Sequence, residues 1–298
     1  MSKNQRIHIL GANGFIGQAL HKRFSEGRYE VRGFSTQTCN LLSIDSIKKS
    51  LGDLNLDDVV VIAAAITRLK DNSFDAMMKN IQMMENLVTV LGQKNIRQCI
   101  YLSSVDVYGC LERKFIAKGP TTEQFALKPD DHYGIGKVAG ELILRLGLDQ
   151  TKTALAILRM PGVFGPGDQM KSLIGNLIKS IVEQGKITIT GDGQDRRDYL
   201  YTDDLYGVVE KSILHQLNDT VNVVSGRNFS IVQIAEMLQK IQGPFKIEFQ
   251  PIKDSTNERI KNMDFNNAHL RKMLPDAQVH DLSYTIGKYC EQLSLIKR

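Results

Sequence analysis

A chain of 298 residues in which 42% of side chains are hydrophobic and 24% charged can bury a full core, which excludes disordered and fibrous classes. Its formal charge of +5 is spread along the chain without interleaved aromatic residues, so nucleic acid is excluded as the expected partner, while a mild positive bias suits anionic nucleotide ligands. The longest apolar run, residues 59–66, falls far short of the roughly 20 residues that cross a bilayer, and no signal peptide is visible. Cys39, Cys99, Cys110 and Cys290 show neither a disulfide framework nor metal-ligand spacing, so a cytoplasmic protein without membrane contact or metal is expected.

In chain order, residues 6–10 form the first predicted strand, which runs directly into Gly11-Ala12-Asn13-Gly14-Phe15-Ile16-Gly17. A strand that ends in glycines spaced by three and opens a helix is the mark of a dinucleotide-binding turn. Gly11 permits the tight turn, Gly14 leaves room for the pyrophosphate and Gly17 lets the helix lie close on the sheet. Taken alone, the triplet also fits a glycine-rich turn in any α/β protein.

Further short apolar strands are predicted at 29–34, 58–62, 98–103 and 153–159, separated by segments long enough for crossover helices. This rhythm predicts an α/β fold with a Rossmann-type, doubly wound parallel sheet. Between the third and fourth strands Phe74, Met77, Met78, Ile81, Met84, Leu87, Val88 and Leu91 recur at helical spacing, and their methionines suit core or interface packing. After Pro166-Gly167 the elements shorten: helix 171–183, strand 186–190, a Gly191-Asp192-Gly193 loop, helix 202–217, strand 221–224 and helix 230–241. The expected division is a dinucleotide-binding domain at 1–166 and a smaller mixed α/β substrate lobe at 167–298, with 221–224 a candidate to return to the main sheet.

Tyr133 and Lys137 stand at i and i+4, on one face of a predicted helix running toward Leu146. A tyrosine titrating near its usual pKa of about 10 is a sluggish proton carrier at neutral pH, and a nearby cation lowers that value. The fourth strand ends in Ser103-Ser104-Val105-Asp106-Val107-Tyr108-Gly109, which puts hydroxyls at the C-terminal edge of the sheet, where ligands bind. Serine there can hydrogen-bond a substrate oxygen while Tyr133 exchanges its proton.

With these motifs the chain resembles the extended short-chain dehydrogenase/reductase family, in particular its nucleotide-sugar epimerases, dehydratases and reductases. The resemblance extends through Ala63-Ala64-Ala65, Asn80, the stretch from Leu158 to Asp168, Gly191-Asp192-Gly193 with Arg197-Asp198-Tyr199, and Val221 to Gly226. It implies Tyr133 as general acid/base, Lys137 at the nicotinamide ribose and lowering the Tyr133 pKa, and Ser104 orienting the reacting sugar oxygen. Gly11, Gly14 and Gly17, with the amides near Phe15 and Ile16, are expected to hold the pyrophosphate. Ala63, Ala64, Ala65, Asn80 and Ser103 are expected in the cofactor groove, and Arg197 near the sugar-nucleotide phosphates, with Arg259 a second candidate.

Three departures from the family pattern bear on the reaction. Where NAD-preferring relatives carry an acid after the second strand, this chain has Ser35 and Thr36, and together with Arg32 these favour NADP(H), leaving NAD(H) as the alternative. Sugar 4,6-dehydratases show Thr-Asp-Glu where this chain has Ser104-Val105-Asp106; Val105 donates no proton, so dehydration is not expected, while Asp106 is either an extra acid/base or a strand-end cap. Pro161-Gly162 replaces a substrate-contacting asparagine and leaves the sugar open.

The expectation is an NAD(P)-dependent 4-ketoreductase acting on a nucleoside-diphosphate sugar, with a 4-epimerase that retains NAD as its rival. A third reading, a non-catalytic dinucleotide sensor, conflicts with the intact Ser104, Tyr133 and Lys137 set. The resemblance also implies a homodimer joined through the helix from Phe74 and the helix carrying Tyr133.

Overall fold

The computed structural model describes residues 5–27, 29–109, 120–251 and 264–295. Arg259 and Cys110 lie outside the described residues. From the N-terminus, strand and helix alternate: β1 (Arg6–Leu10), α1 (Phe15–Ser25), β2 (Glu30–Phe34), α2 (Ile44–Leu51), β3 (Val59–Ile62), α3 (Phe74–Leu91), β4 (Gln98–Ser104), a 3₁₀ turn (Val105–Tyr108), α4 (His132–Leu148) and β5 (Ala154–Met160). Shorter elements follow: β6 (Gly162–Phe164), α5 (Leu173–Gln184), β7 (Lys186–Thr190), β8 (Arg196–Arg197), β9 (Tyr199–Tyr201), α6 (Thr202–Leu214) and β10 (Thr220–Asn222). The chain then runs through β11 (Phe229–Ser230), α7 (Ile231–Gln242), β12 (Lys246–Gln250), α8 (Ala268–Met273) and α9 (Leu282–Gln292).

Strands that are apolar at successive positions bury side chains on both faces, and that is why the central sheet is parallel and covered by helices on each side. Its order is β2-β1-β3-β4-β5-β10, with every pair parallel. Ile7, Ile9, Val59, Val61 and Ile100 pack toward Leu20 and Phe24 of α1 and Leu205 and Val208 of α6. The alternate residues Leu10, Val60, Ile62, Cys99 and Tyr101 pack toward α2, α3 and α4, through Ile47, Met84, Leu87 and Leu144. Winding goes from β1 outward to β2 on one side and to β3 on the other. A crevice therefore opens between the C-terminal ends of β1 and β3, the switch point where such sheets bind ligands.

The smaller lobe has its own core of Phe164, Ile174, Ile178, Ile187, Ile189, Ile234, Leu238 and Ile286, built around two-stranded pairings of β7 with β12 and β6 with β9. From there the chain returns to the main sheet, Val221 pairing with Leu158 and Asn222 with Arg159. Helix α6 stops at Leu214 and not at residue 217, because Gln216 takes a left-handed φ of 48° and turns the chain toward β10. Among the described residues no helix is long and apolar enough to cross a membrane, and no His, Cys, Asp and Glu cluster could hold a metal.

Candidate active site

The turn after β1 is crowded in a way that only glycine satisfies. Gly11 has φ of 85°, and a Cβ there would lie 2.7 Å from the Ala64 backbone; on Gly17 it would overlap the Gly11 carbonyl oxygen. Gly14 is looser, its notional Cβ 3.3 Å from the same oxygen. Helix α1 begins at Phe15 with no side-chain cap and no acid in its first turn, whereas Ser43, Ser73, Asp131, Ser172 and Ser230 cap α2, α3, α4, α5 and α7. Its first N–H groups, at the positive end of the helix dipole, are thus available to an anion, and the turn fits a dinucleotide pyrophosphate.

Around this turn the remaining candidates separate. Ala63 and Ala64 follow β3 against Gly11, Ala63 N donating to Leu10 O at 3.0 Å, and Ala65 continues the same segment. Asn80 braces that segment from α3: its Oδ1 accepts from Ile66 N at 2.8 Å and its Nδ2 donates to Ile66 O at 2.9 Å. Asn80 therefore shapes the groove wall and its amide faces the protein backbone. Ser35 and Thr36 stand in the turn just beyond β2, where the Ser35 hydroxyl accepts from Gln37 N at 3.2 Å. Arg32 is not brought to them: Asp53 holds its Nη1 at 2.7 Å, and Glu30 lies 3.5 Å from Nη2. Asp53 also binds Arg6 at the start of β1, so Arg32 is drawn toward the opposite, N-terminal edge of the sheet.

The catalytic candidates meet in a cleft of about 430 Å³ between the lobes, whose walls include Ser104, Asp106, Tyr133, Phe15, Ile16 and Arg197. Asp131 caps α4, accepting from Gly134 N at 2.7 Å, and Asn72 Oδ1 accepts from Tyr133 N at 3.0 Å, so the backbone that carries Tyr133 is held at the start of the helix. One turn on, Lys137 is buried, donates from Nζ to Leu102 O at 2.6 Å and lies 5.7 Å from the centre of the Tyr133 ring. Ser104 caps the 3₁₀ turn: its Oγ accepts from Asp106 N and donates to Asp106 Oδ2, both at 3.1 Å. Ser103 borders the cleft, but its hydroxyl is turned inward to Glu141 Oε1 at 2.5 Å, and Glu141 in turn holds Arg159 in a buried bidentate pair.

One electrostatic expectation is corrected. Burial pushes the Tyr133 phenol above its ordinary value, Asp106 and Asp131 add to the rise, and the opposing cation is Arg68, not Lys137. Burial in turn pushes Lys137 down to about 8, against the pull of Glu141 and Asp106. Arg68 was not legible in the sequence; it sits in the loop after β3, outside any motif, and its Nη1 donates to Asp106 Oδ1 at 3.0 Å and lies 3.7 Å from Asp131 Oδ2. Lys171 and Asn176, beside the start of α5, were likewise missed and line the far wall.

In the smaller lobe Arg197 lines the cleft from β8, its Nη2 3.8 Å from Asp195 and its Nε buried without a hydrogen-bond partner among the described residues. Asp198 is not its partner. That buried carboxylate instead accepts from Ser225 N, Ser225 Oγ and Gly226 N at 2.9–3.1 Å, and burial pushes it up to about 6.

A glycine turn at a switch point, with serine, tyrosine and lysine around one cleft, defines a dinucleotide-dependent enzyme of the Rossmann class. The model of the NAD dependent epimerase/dehydratase family matches residues 7–224, and the chain belongs to that family, whose members are NAD-dependent nucleotide-sugar epimerases, dehydratases and reductases. It is 27% identical over 252 residues to the uncharacterized UDP-glucose epimerase YtcB of Bacillus subtilis (strain 168), covering 81% of this chain and 76% of that one. Among solved structures, the NAD complex of UDP-glucuronic acid 4-epimerase from Bacillus cereus superposes with a TM-score of 0.79 at 23% identity, covering 97% of each chain. The NADPH complex of RMD from Pseudomonas aeruginosa also gives 0.79, at 21% identity, covering 97% of this chain and 98% of that one. At these identities the structures speak for the fold.

Proposed function

We propose that the protein is an NAD(P)-dependent 4-ketoreductase acting on a nucleoside-diphosphate sugar. The observation that carries this reading is the meeting of Ser104 and Tyr133 in one cleft, with Lys137 beside the Tyr133 ring, between the uncapped start of α1 and Arg197. Gly11, Gly14, Gly17 and the first amides of α1 would hold a nicotinamide dinucleotide, which would supply the hydride when bound. The chain's own residues handle the proton and the charge. Tyr133 gives its proton to the oxygen of a 4-keto group, and Ser104 exchanges its bond to Asp106 for one to that oxygen, stabilising the alkoxide as it develops. Arg197 meets the diphosphate from the other lobe. Asp106, engaged by Arg68 and Ser104, supports chemistry confined to C4 over proton removal at C3 or C5.

Ser35 and Thr36 favour NADP(H), since no carboxylate at the tip of β2 repels a 2′-phosphate; Arg32 takes no part. A 4-epimerase that retains NAD is the second reading, favoured by the likeness to YtcB, which bears the name of a UDP-glucose epimerase. The outer sides of α3 and α4 leave Phe74, Met78, Ile135, Leu142 and Leu146 exposed, which supports a homodimer through these helices; light scattering should give twice the 33.4 kDa chain mass.

The test is incubation with deuterated NADPH and a panel of nucleoside-diphosphate 4-keto sugars, with products read by mass spectrometry and NMR. One reduced sugar carrying deuterium at C4 is expected. Interconversion of C4 epimers without net consumption of NADPH would establish the epimerase instead, and absence of both reactions across the panel would overturn the reading.

A further inference from the structure

The cleft holds a charged cluster that the catalytic set does not account for. Three charged groups from three different elements cluster at the Tyr133 end of the cleft: Asp106 on the 3₁₀ turn after β4 and Arg68 in the loop after β3, which line the cleft with Tyr133, and Asp131, the cap of α4 two residues before it. Lys137 faces the ring from α4 itself, with its ammonium held on Leu102 O, and Tyr101 of β4 adds a second buried phenol nearby. Two carboxylates near a phenol that must release a proton oppose its ionisation, because the phenolate adds a third negative charge to the same end of the cleft. Arg68 is the only one of the three clustered side chains that works the other way. It is a partly exposed guanidinium on the cleft wall, and its Nη1 alone lies within 4 Å of both carboxylates, between which it stands.

We propose that Arg68 is a positioning residue for proton transfer, clamping Asp106 and Asp131 so that their charge is neutralised toward Tyr133 and Asp106 is held on the Ser104 side of the cleft. The inference rests on the oxidoreductase reading above and deepens it. The same clamp keeps Asp106 as an engaged carboxylate and so confines the reaction to the oxygen-bearing carbon. The electrostatics of the site agree in sign: burial and both carboxylates push the Tyr133 phenol up, and Arg68 opposes them.

The decisive measurement compares Arg68→Gln, Asp106→Asn and the double variant. Removing the cation leaves two unneutralised carboxylates, so Arg68→Gln should move the Tyr133-dependent limb of the pH–rate profile upward by about one pH unit or more, and slow alcohol oxidation below that limb about tenfold. Asp106→Asn should move it downward, and the double variant should return close to the parent, a rescue that a merely structural arginine would not show. An unmoved limb in Arg68→Gln, or a double variant displaced as far as Arg68→Gln, would overturn the proposal. Difluorotyrosine at position 133, followed by fluorine NMR in the cofactor-loaded protein, reports the same order of titrations without any turnover. The proposal thus fails on the fluorine titration even if the substrate reading fails separately in the sugar panel.

Discussion

The two ends of the central sheet carry the same chemical grouping and use it differently. At the N-terminal edge, Arg6 binds the buried Asp58 through both Nε and Nη2, at 2.9 and 2.6 Å, and Asp58 also accepts from Asn55 N at 2.8 Å. Asp53 then links Arg6 to Arg32. At the C-terminal edge, Arg68 reaches Asp106 through one short bond and Asp131 at 3.7 Å, on the wall of an open cleft. The lower cluster closes on itself and secures the sheet, whereas the upper one retains charge directed at a reacting group. The difference follows from topology, because loops gather around ligands only beyond the C-terminal ends of parallel strands.

The sharpest way to break the comparison is to strike each end and read both rate and stability. At the upper end, Tyr133→Phe should lower turnover by about 10²- to 10⁴-fold, the usual contribution of a general acid/base, while dinucleotide binding by titration calorimetry stays near the parent value. Near-parental turnover would show that the proton passes elsewhere. At the lower end, Asp58→Ala should leave kcat per folded molecule unchanged and cost about 3 kcal/mol in urea unfolding, since Arg6 loses its buried bidentate partner and keeps only Asp53, and Asn55 N loses its acceptor. A loss of kcat in that variant would mean the lower cluster is coupled to the cleft.

That contrast also marks what could be read from the sequence. Strands β1 to β5 were legible to within a residue at each end; β1, β3, β4 and β5 because burial on both faces makes them largely apolar runs, and the edge strand β2, Glu-Val-Arg-Gly-Phe and mostly half-buried, from its place in the alternating rhythm. The positions of Tyr133 and Lys137 on one helix face were legible from their i and i+4 spacing, and that of Ser104 at the C-terminal edge of the sheet from the end of the fourth strand. Arg32 was misplaced because a strand pattern gives the face of a side chain and not the end of the sheet toward which a long one leans. Asn80 and Ser103 are polar residues near the groove, yet their hydrogen bonds run inward to Ile66 and Glu141, a choice that only packing makes. Arg68 was missed because a loop residue acquires its role from carboxylates that are far away in sequence.

A smaller effect is expected at the rim of the cofactor groove. Ser35→Asp should restore an acceptor for a ribose 2′-hydroxyl and repel a 2′-phosphate, reversing an NADP(H) preference by about tenfold or more in fluorescence titrations of the two dinucleotides, on the order of 1.4 kcal/mol. Tighter NAD(H) than NADP(H) binding in the parent would remove the argument from Ser35 and Thr36.

The smallest effect separates the two ends by pH. His8, in the lower cluster, is fully buried, and burial holds its pKa below the ordinary 6.5, so the folded state resists a proton that the unfolded chain accepts. Its contribution is fully present above pH 6.5 and is lost as pH falls through the interval down to its folded value, at no more than about 1.4 kcal/mol per pH unit. Asp198, near the cleft, acts with the opposite sign. Its carboxyl, held at about 6 against an ordinary 3.8, takes up a proton in the folded state first and adds stability as pH falls across that interval. The parental stability curve between pH 6 and 5 should therefore be flatter than either group alone would make it. Replacing His8 by Phe, which keeps a ring beside Phe34, should make stability rise relative to the parent as pH is lowered from 7 to 5, whereas Asp198→Asn should make it fall. Urea titrations at half-unit pH steps decide the matter: parallel curves for His8→Phe and the parent would show that His8 titrates alike in the folded and unfolded chain, and a fall of the variant relative to the parent would show that His8 is charged in the folded protein through its 3.6 Å approach to Asp58.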